Sequence, residues 1–368
     1  MAGYFKFPLK MHVGAPDAAI VKEGQEVKRG ECIAEPTGLG AKIHTSVSGK
    51  VSKVTETEIV IEAFENQTEE FVKIKECDSI VDTVYEAGIV GAGGAGFPTH
   101  VKLKSQIPDG YIIANCVECE PALYHNIKLA KETPEIMIKG IRYAMKATGA
   151  PKAYIAIKSK NKEAVASLNK YLSGDKTIEV KELRDIYPMG EERAIIHEIF
   201  DIWLEPTQLP IEAKCVVLNA ETLANIAKAV DDRKPVIDKD FTVIGKLKTG
   251  NKPNVYMSVP VGTPIKNLVE KAGGIDGEYG EMIVGGPYTG KAEDIETAAV
   301  TKTSGGAIIT IPLPEYKGNL GLLVCACGAN EARLRDVASK MNANVASVTN
   351  CKNIVEIKEA LKCKTPGE

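Results

Sequence analysis

Three short, unbroken apolar runs constrain this chain more than any other feature: Tyr111-Ile112-Ile113-Ala114-Asn115, Ala153-Tyr154-Ile155-Ala156-Ile157 and Cys215-Val216-Val217-Leu218-Asn219. A strand with one wet face alternates apolar and polar residues. A run without alternation suits a strand buried on both faces, as in a parallel sheet covered by helices. Segments with helical spacing separate the runs, at residues 132–147 and 162–172. This alternation predicts a layered, Rossmann-like α/β domain over residues 76–250.

The flanking segments read differently. Residues 1–75 carry short β-like runs, such as Lys42-Ile43-His44 and Glu58-Ile59-Val60-Ile61, between glycine-containing turns. The stretches 21–31 and 44–51 resemble the barrel-sandwich hairpins of biotinyl and lipoyl domains. Those carriers place a modifiable lysine at a hairpin tip. Here the tip reads Thr37-Gly38-Leu39-Gly40, with Lys42 two residues beyond, so a scaffold is expected rather than a swinging arm. Residues 251–313 form a smaller unit, with a strand at 255–260 and a helix at 264–271 that opens on proline and stops at Gly273-Gly274. Residues 314–368 read as a βαβα unit, with helices at 330–341 and 352–361 and cysteines at the strand-to-helix turns.

Composition narrows the function. Charged residues make up 26% of the 368, with a net charge of -3, which is not the basic field that phosphate-backbone binding requires. Aromatics are 5%, with one tryptophan, too few for base-stacking platforms. No apolar stretch approaches the roughly 18 residues of a membrane span, and the first residues lack a signal-peptide core. A cytoplasmic protein is expected, touching a membrane only through a partner.

The strongest local signal is Gly91-Ala92-Gly93-Gly94-Ala95-Gly96-Phe97-Pro98-Thr99. Glycines let backbone amides approach a ligand with no side chain between, and successive amides form a nest for phosphate or a polar ring edge. The pattern is neither a dinucleotide fingerprint nor a P-loop, although Lys102 and Lys104 lie within reach of a phosphate. A glycine-rich packing turn is the bland reading; four glycines in six residues are costly to order without a ligand. A second signal, Asn115-Cys116-Val117-Glu118-Cys119-Glu120-Pro121, follows a strand directly, where open sheets place ligand sites. Its Cys-x-x-Cys pair lacks the second pair that zinc needs and reads mainly as packing thiols.

These blocks occur in order with Tyr187-Pro188-Met189-Gly190-Glu191-Glu192, Leu218-Asn219-Ala220-Glu221-Thr222, Pro260-Val261-Gly262-Thr263-Pro264 and Val284-Gly285-Gly286-Pro287-Tyr288-Thr289-Gly290. The series resembles RnfC, a component of the Rnf electron-transport complex, and, more distantly, the NADH-binding flavoprotein of respiratory complex I. The resemblance covers residues 10–312. It implies an NADH-dependent flavin oxidoreductase, with FMN facing Gly91, Gly93, Gly94, Gly96, Lys102, Asn115, Asn219, Glu221 and Thr222. Glu118 and Glu120 would approach the nicotinamide side. It also implies that residues 251–313 are a β-grasp, soluble-ligand-binding domain.

The chain departs from that family in its tail. The ferredoxin-type cysteine runs of RnfC are missing. Of the nine cysteines, Cys325, Cys327, Cys351 and Cys363 crowd the last 44 residues, a pattern that in a reducing compartment reads as redox or metal chemistry. They are expected to bind one [4Fe–4S] cluster, to act as redox thiols, or to be inert. Among soluble relatives, the chain resembles the proline-reductase-associated electron-transfer proteins, some of which carry selenocysteine. A proline reductase is therefore the expected acceptor, and the end just after Cys363 is expected to mark a truncation at a selenocysteine codon. A cobalamin-reductase-like flavoprotein and a non-catalytic docking adaptor are the alternatives.

Overall fold

The computed structural model describes residues 3–326, 330–357 and 360–364. Its contacts divide the chain into a large unit, residues 1–277 with 281–310, and a small one, residues 278–280 with 311–368.

The three apolar runs are strands, Tyr111–Asn115, Lys152–Lys158 and Cys215–Asn219, joined by a fourth at Ile178–Leu183. All pair in parallel. The chain steps outward from Tyr111–Asn115 through Lys152–Lys158 to Ile178–Leu183, then returns to lay Cys215–Asn219 on the opposite side of the first strand. This reversal is a topological switch point, the place where open α/β sheets bind ligands. It makes Asn115 and Asn219 register partners at the strand ends.

Both faces of the sheet are covered, as the unbroken runs require. Ile112 and Ala114 pack with Ile138, Ile141, Leu223 and Ile226 on one side. Ile113 and Val217 pack with Met189, Ile195 and Ile196 on the other. Each such fully buried isoleucine or leucine contributes about 1.5–3 kcal/mol relative to exposure. Gly140 lets the helices Pro134–Thr148 and Ala220–Asp232 meet closely, since a Cβ there would lie 1.9 Å from the Leu223 carbonyl oxygen.

The N-terminal residues form a barrel sandwich of a four-stranded and a three-stranded sheet, filled by Phe5, Phe7, Ile33, Ile43, Ile59 and Ile61. Lys42 does not stand on a free tip: its Nζ pairs with Glu35 at 2.9 Å and with Glu86 at 3.0 Å.

A five-stranded sheet follows, in the order Asn254–Pro260, Asp238–Gly245, Gly306–Ile309, Met282–Val284, Lys291–Glu293. The boundary expected at 250 cuts across this sheet. Asp238–Gly245 pairs antiparallel with Asn254–Pro260 and parallel with Gly306–Ile309, so the sheet begins at Asp238. Nearly all of that strand is buried. Lys302, also buried, ties the segments together by donating to the Gly88 carbonyl at 2.8 Å and to that of Lys42.

In the small unit, Asn319–Val324 and Asn344–Asn350 pair in parallel beside the helix Glu331–Lys340. The helix expected at 352–361 is absent. The segment instead forms the antiparallel strands Ile354–Ile357 and Ala360–Cys363. The β-branched Ile354 and Val355 lose rotamer freedom in a helix and favour a strand. Among the described residues, no helix is long and apolar enough to cross a membrane.

Candidate functional site

The glycine loop is closed at its neck by the Gly91 N–H, which donates to the Phe97 carbonyl at 3.0 Å, and by a bridge between Val90 and Pro98. One hydroxyl pins it from beneath. Thr222 Oγ1 accepts from the Ala92 N–H at 2.9 Å and donates to the Val90 carbonyl at 3.2 Å. Gly96 has φ of +75°, and a Cβ there would lie 2.8 Å from Thr303 Cγ2, so both conformation and space demand glycine. Gly93, Gly94 and Ala95 are exposed. Among the described residues, no acceptor stands opposite the amides of Gly93, Gly94, Ala95 or Gly96.

The loop opens onto a cavity of about 570 Å³ at the switch point, lined also by Phe97, Lys102, Asn115, Asn219, Thr222 and residues 190–192 and 209–211. Asn219 caps the helix Ala220–Asp232, its Oδ1 accepting from the Glu221 N–H at 2.8 Å and the Thr222 N–H at 3.4 Å. Its Nδ2 lies against Gly93, where a Cβ would come within 2.6 Å. The N-terminus of this helix therefore borders the cavity and favours negative charge there. Lys102 Nζ donates to Glu192 Oε1 at 2.5 Å and to the Val217 carbonyl at 3.0 Å. Asn115 Nδ2 donates to the Gly190 carbonyl at 2.9 Å, and its Oδ1 accepts from the Val117 N–H at 3.1 Å. Phe97, Leu209, Ile211 and Val217 supply apolar wall. Bared amides, a helix N-terminus and a lysine suit a phosphate and polar ring edges. The walls suit a flat conjugated ring, so the donor set fits a flavin mononucleotide.

Three residues expected at the ligand do not line this cavity. Glu221 is buried, paired with Lys239 and accepting from the Asp240 N–H at 2.8 Å. Burial pushes its carboxyl up to about 7, against the lowering effect of Lys239. It ties the helix Ala220–Asp232 to the strand Asp238–Gly245. Glu118 accepts from the Asn126 N–H at 2.9 Å, and burial pushes its carboxyl up to about 7. Glu120 reaches the turn after Met282–Val284, accepting from the Tyr288 N–H at 3.0 Å and from Thr289 Oγ1 at 2.6 Å. The rings of Tyr187 and Tyr288 meet beside this clasp at 4.5 Å.

Sequence reasoning left Phe97, Glu191, Glu192 and residues 209–211 out of the site. Phe97 lies within the glycine motif and both glutamates within the block from Tyr187 to Glu192, so a signal exists for them. The wall at 209–211 comes from an irregular loop and a short 3-10 turn, and no periodicity announces it. The Cys-x-x-Cys pair serves packing. Cys116 Sγ is buried 3.2 Å from Met137 Sδ, with burial raising its thiol pKa, and Cys119 packs against Gly190. Of the four tail cysteines, Cys327 lies outside the described residues. Among those described, no three His, Cys, Asp or Glu side chains converge as metal ligands would.

Residues 84–228 match the Nuo51 FMN-binding domain, and residues 2–75 match the RnfC barrel sandwich hybrid domain. The chain is 32% identical over 321 residues to component C of the Na(+)-translocating ferredoxin:NAD(+) oxidoreductase complex of Acetobacterium woodii, covering 82% of this chain and 72% of that one. The chain belongs to the RnfC family. A second RnfC-family member, component C of the proton-translocating ferredoxin:NAD(+) oxidoreductase complex of Clostridium ljungdahlii, is 31% identical, with 82% of this chain and 69% of the relative covered. Cobalamin reductase PduS of Salmonella typhimurium is 37% identical over 232 residues, 63% of this chain and half of that protein. A crystal structure of an NAD+-reducing [NiFe]-hydrogenase shares the fold, with a TM-score of 0.51 and 24% identity over 63% of this chain and 46% of that one. The RnfC barrel sandwich and the flavin-type α/β domain are thus two of the four domains expected from the sequence.

Proposed function

We propose that this RnfC-family chain is an NADH-dependent flavoprotein that holds FMN in the switch-point cavity and passes its electrons to an acceptor reductase. The observation that carries the reading is the run of bared amides at residues 93–95, in a loop that lines a cavity of about 570 Å³ beside a capped helix N-terminus. In it, Lys102 meets the phosphate by exchanging its bond to Glu192, and Asn219 Nδ2 with the loop amides bonds the polar edge of the ring. Phe97, Leu209 and Ile211 exclude water from the ring faces. FMN, when bound, supplies two-electron acceptance from the dihydronicotinamide and one-electron release. The protein contributes binding and orientation.

Electrons leave, in this reading, through the cysteines of the small unit, and proline reductase is the acceptor that the sequence resemblance suggests. The likeness to PduS supports a second reading, with a corrinoid as acceptor. Anaerobic titration of the FMN-reconstituted protein with NADH tests the core proposal. Bleaching of the flavin band supports it. A protein that takes up no FMN is a docking adaptor instead. Adding a cob(III)alamin or a proline reductase to the bleached protein then separates the acceptors, by which of them restores the yellow colour.

A further inference from the structure

We propose that Cys325 and Cys351 form a redox-active dithiol that delivers two electrons to a disulfide of an acceptor protein. The parallel strands Asn319–Val324 and Asn344–Asn350 pair Val324 with Asn350 at their ends. That last pair is closed by the Cys351 N–H, which donates to the Val324 carbonyl at 2.9 Å. Cys325 and Cys351 each follow a member of that pair by one residue, so the two cysteines leave adjoining strand ends. Neighbouring strands lie about 4.8 Å apart, inside the Cα separation of about 4.4–6.8 Å that a disulfide takes. Both cysteines sit just past their strands and are half-buried, so a partner's sulfur can reach them.

Cys363 is placed differently. It pairs with Ile354 in the terminal hairpin, while the Ile354 N–H donates to the Cys351 carbonyl at 3.1 Å. It neighbours the pair without sharing its register. Two cysteines at adjoining strand ends make a thiol couple. The couple also differs from a Cys325–Cys327 pair, which adjacency in sequence suggests.

The chemistry balances as thiol–disulfide exchange. One thiolate attacks a sulfur of the acceptor disulfide, forming a mixed disulfide and releasing one acceptor thiolate. The second cysteine attacks the mixed disulfide, forming the Cys325–Cys351 bond and releasing the second. The two protons lost by the cysteines end on the acceptor thiols. This chain is oxidised by two electrons and the acceptor reduced by two. The inference rests on the proposed function only for the source of the electrons that restore the dithiol.

The test uses the full chain with oxidised glutathione as probe, followed by alkylation and peptide mass spectrometry. The expected result is a reversible Cys325–Cys351 linked peptide in the wild type and in Cys363→Ser. In Cys325→Ser and in Cys351→Ser the link is lost, and the remaining cysteine of the pair retains glutathione. A link from Cys325 to Cys327 or Cys363, no link at all, or iron in anaerobically purified protein that is lost in Cys351→Ser overturns the proposal. The readout needs neither flavin nor NADH. A chain that forms the link but fails to bleach refutes the flavin reading alone, and one that bleaches without the link refutes this one alone.

Discussion

Replacing Gly94 with valine separates ligand binding from folding at one position. A Cβ on Gly94 meets no heavy atom within 4 Å, and its backbone φ lies outside the left-handed region. The substitution therefore costs the fold no more than an ordinary surface change, about 0.5 kcal/mol, or roughly 1–2 °C in Tm for a domain of this size. The branched side chain projects over the bared amides and denies at least one of them its ligand acceptor. A buried donor left unsatisfied costs about 1–3 kcal/mol, which corresponds to a rise of roughly 5- to 150-fold in the Kd for FMN. Gly93→Ala is the contrast. Its Cβ lies 2.6 Å from Asn219 Nδ2, so it disturbs the helix cap and lowers stability as well, by about 0.5–2 kcal/mol. Quenching of flavin fluorescence measures affinity, and thermal unfolding of the apoprotein measures the fold. An unchanged Kd in Gly94→Val would refute the argument that these amides receive the cofactor.

Lys102→Met removes a charge-assisted bond worth about 1.5–3 kcal/mol, so FMN binding weakens by roughly 10- to 150-fold while riboflavin binding, which lacks the phosphate, is nearly unchanged; paired titrations of the two flavins check this. Thr222→Val leaves the Ala92 N–H and Val90 carbonyl without their shared hydroxyl; the expected loss is about 1–3 kcal/mol of stability, read by urea unfolding of the apoprotein. Burial lowers Lys302 from 10.5 to about 8, with Asp17 and Cys32 acting weakly in the other direction. Between these values the unfolded chain binds the extra proton, so stability rises with pH, by about 3 kcal/mol in all. Denaturant midpoints from pH 7.5 to 10.5 should show that rise in the wild type and lose it in Lys302→Met; parallel curves would show that Lys302 is not the group responsible.

Much of the large unit is visible in the sequence because its forces are local. Unbroken apolar runs mark doubly buried strands, and clustered glycines mark a loop that brings its amides to the surface. What stayed hidden depends on partners distant in the chain. Glu221 reads as a ligand in its motif, yet its carboxylate is committed to Lys239 on a strand of another sheet. Glu120 is likewise engaged by the turn at Tyr288 and Thr289. The facing of Asn115 and Asn219 follows from the strand reversal, which no single segment encodes. In the tail, the spacing of residues 352–361 admitted a helix, and the β-branched residues decided otherwise.

The reversal in strand order also sets when the cavity can exist during synthesis. Its floor and one wall come from Cys215–Asn219 and the helix cap that follows, whereas the glycine loop is made more than a hundred residues earlier. Chains emerge from the ribosome N-terminus first, at about 5–20 residues per second, so the loop spends several seconds without Thr222 beneath it. A nascent chain halted before Cys215 has no receptacle to fill, and cofactor loading belongs to the interval after that strand slots into place.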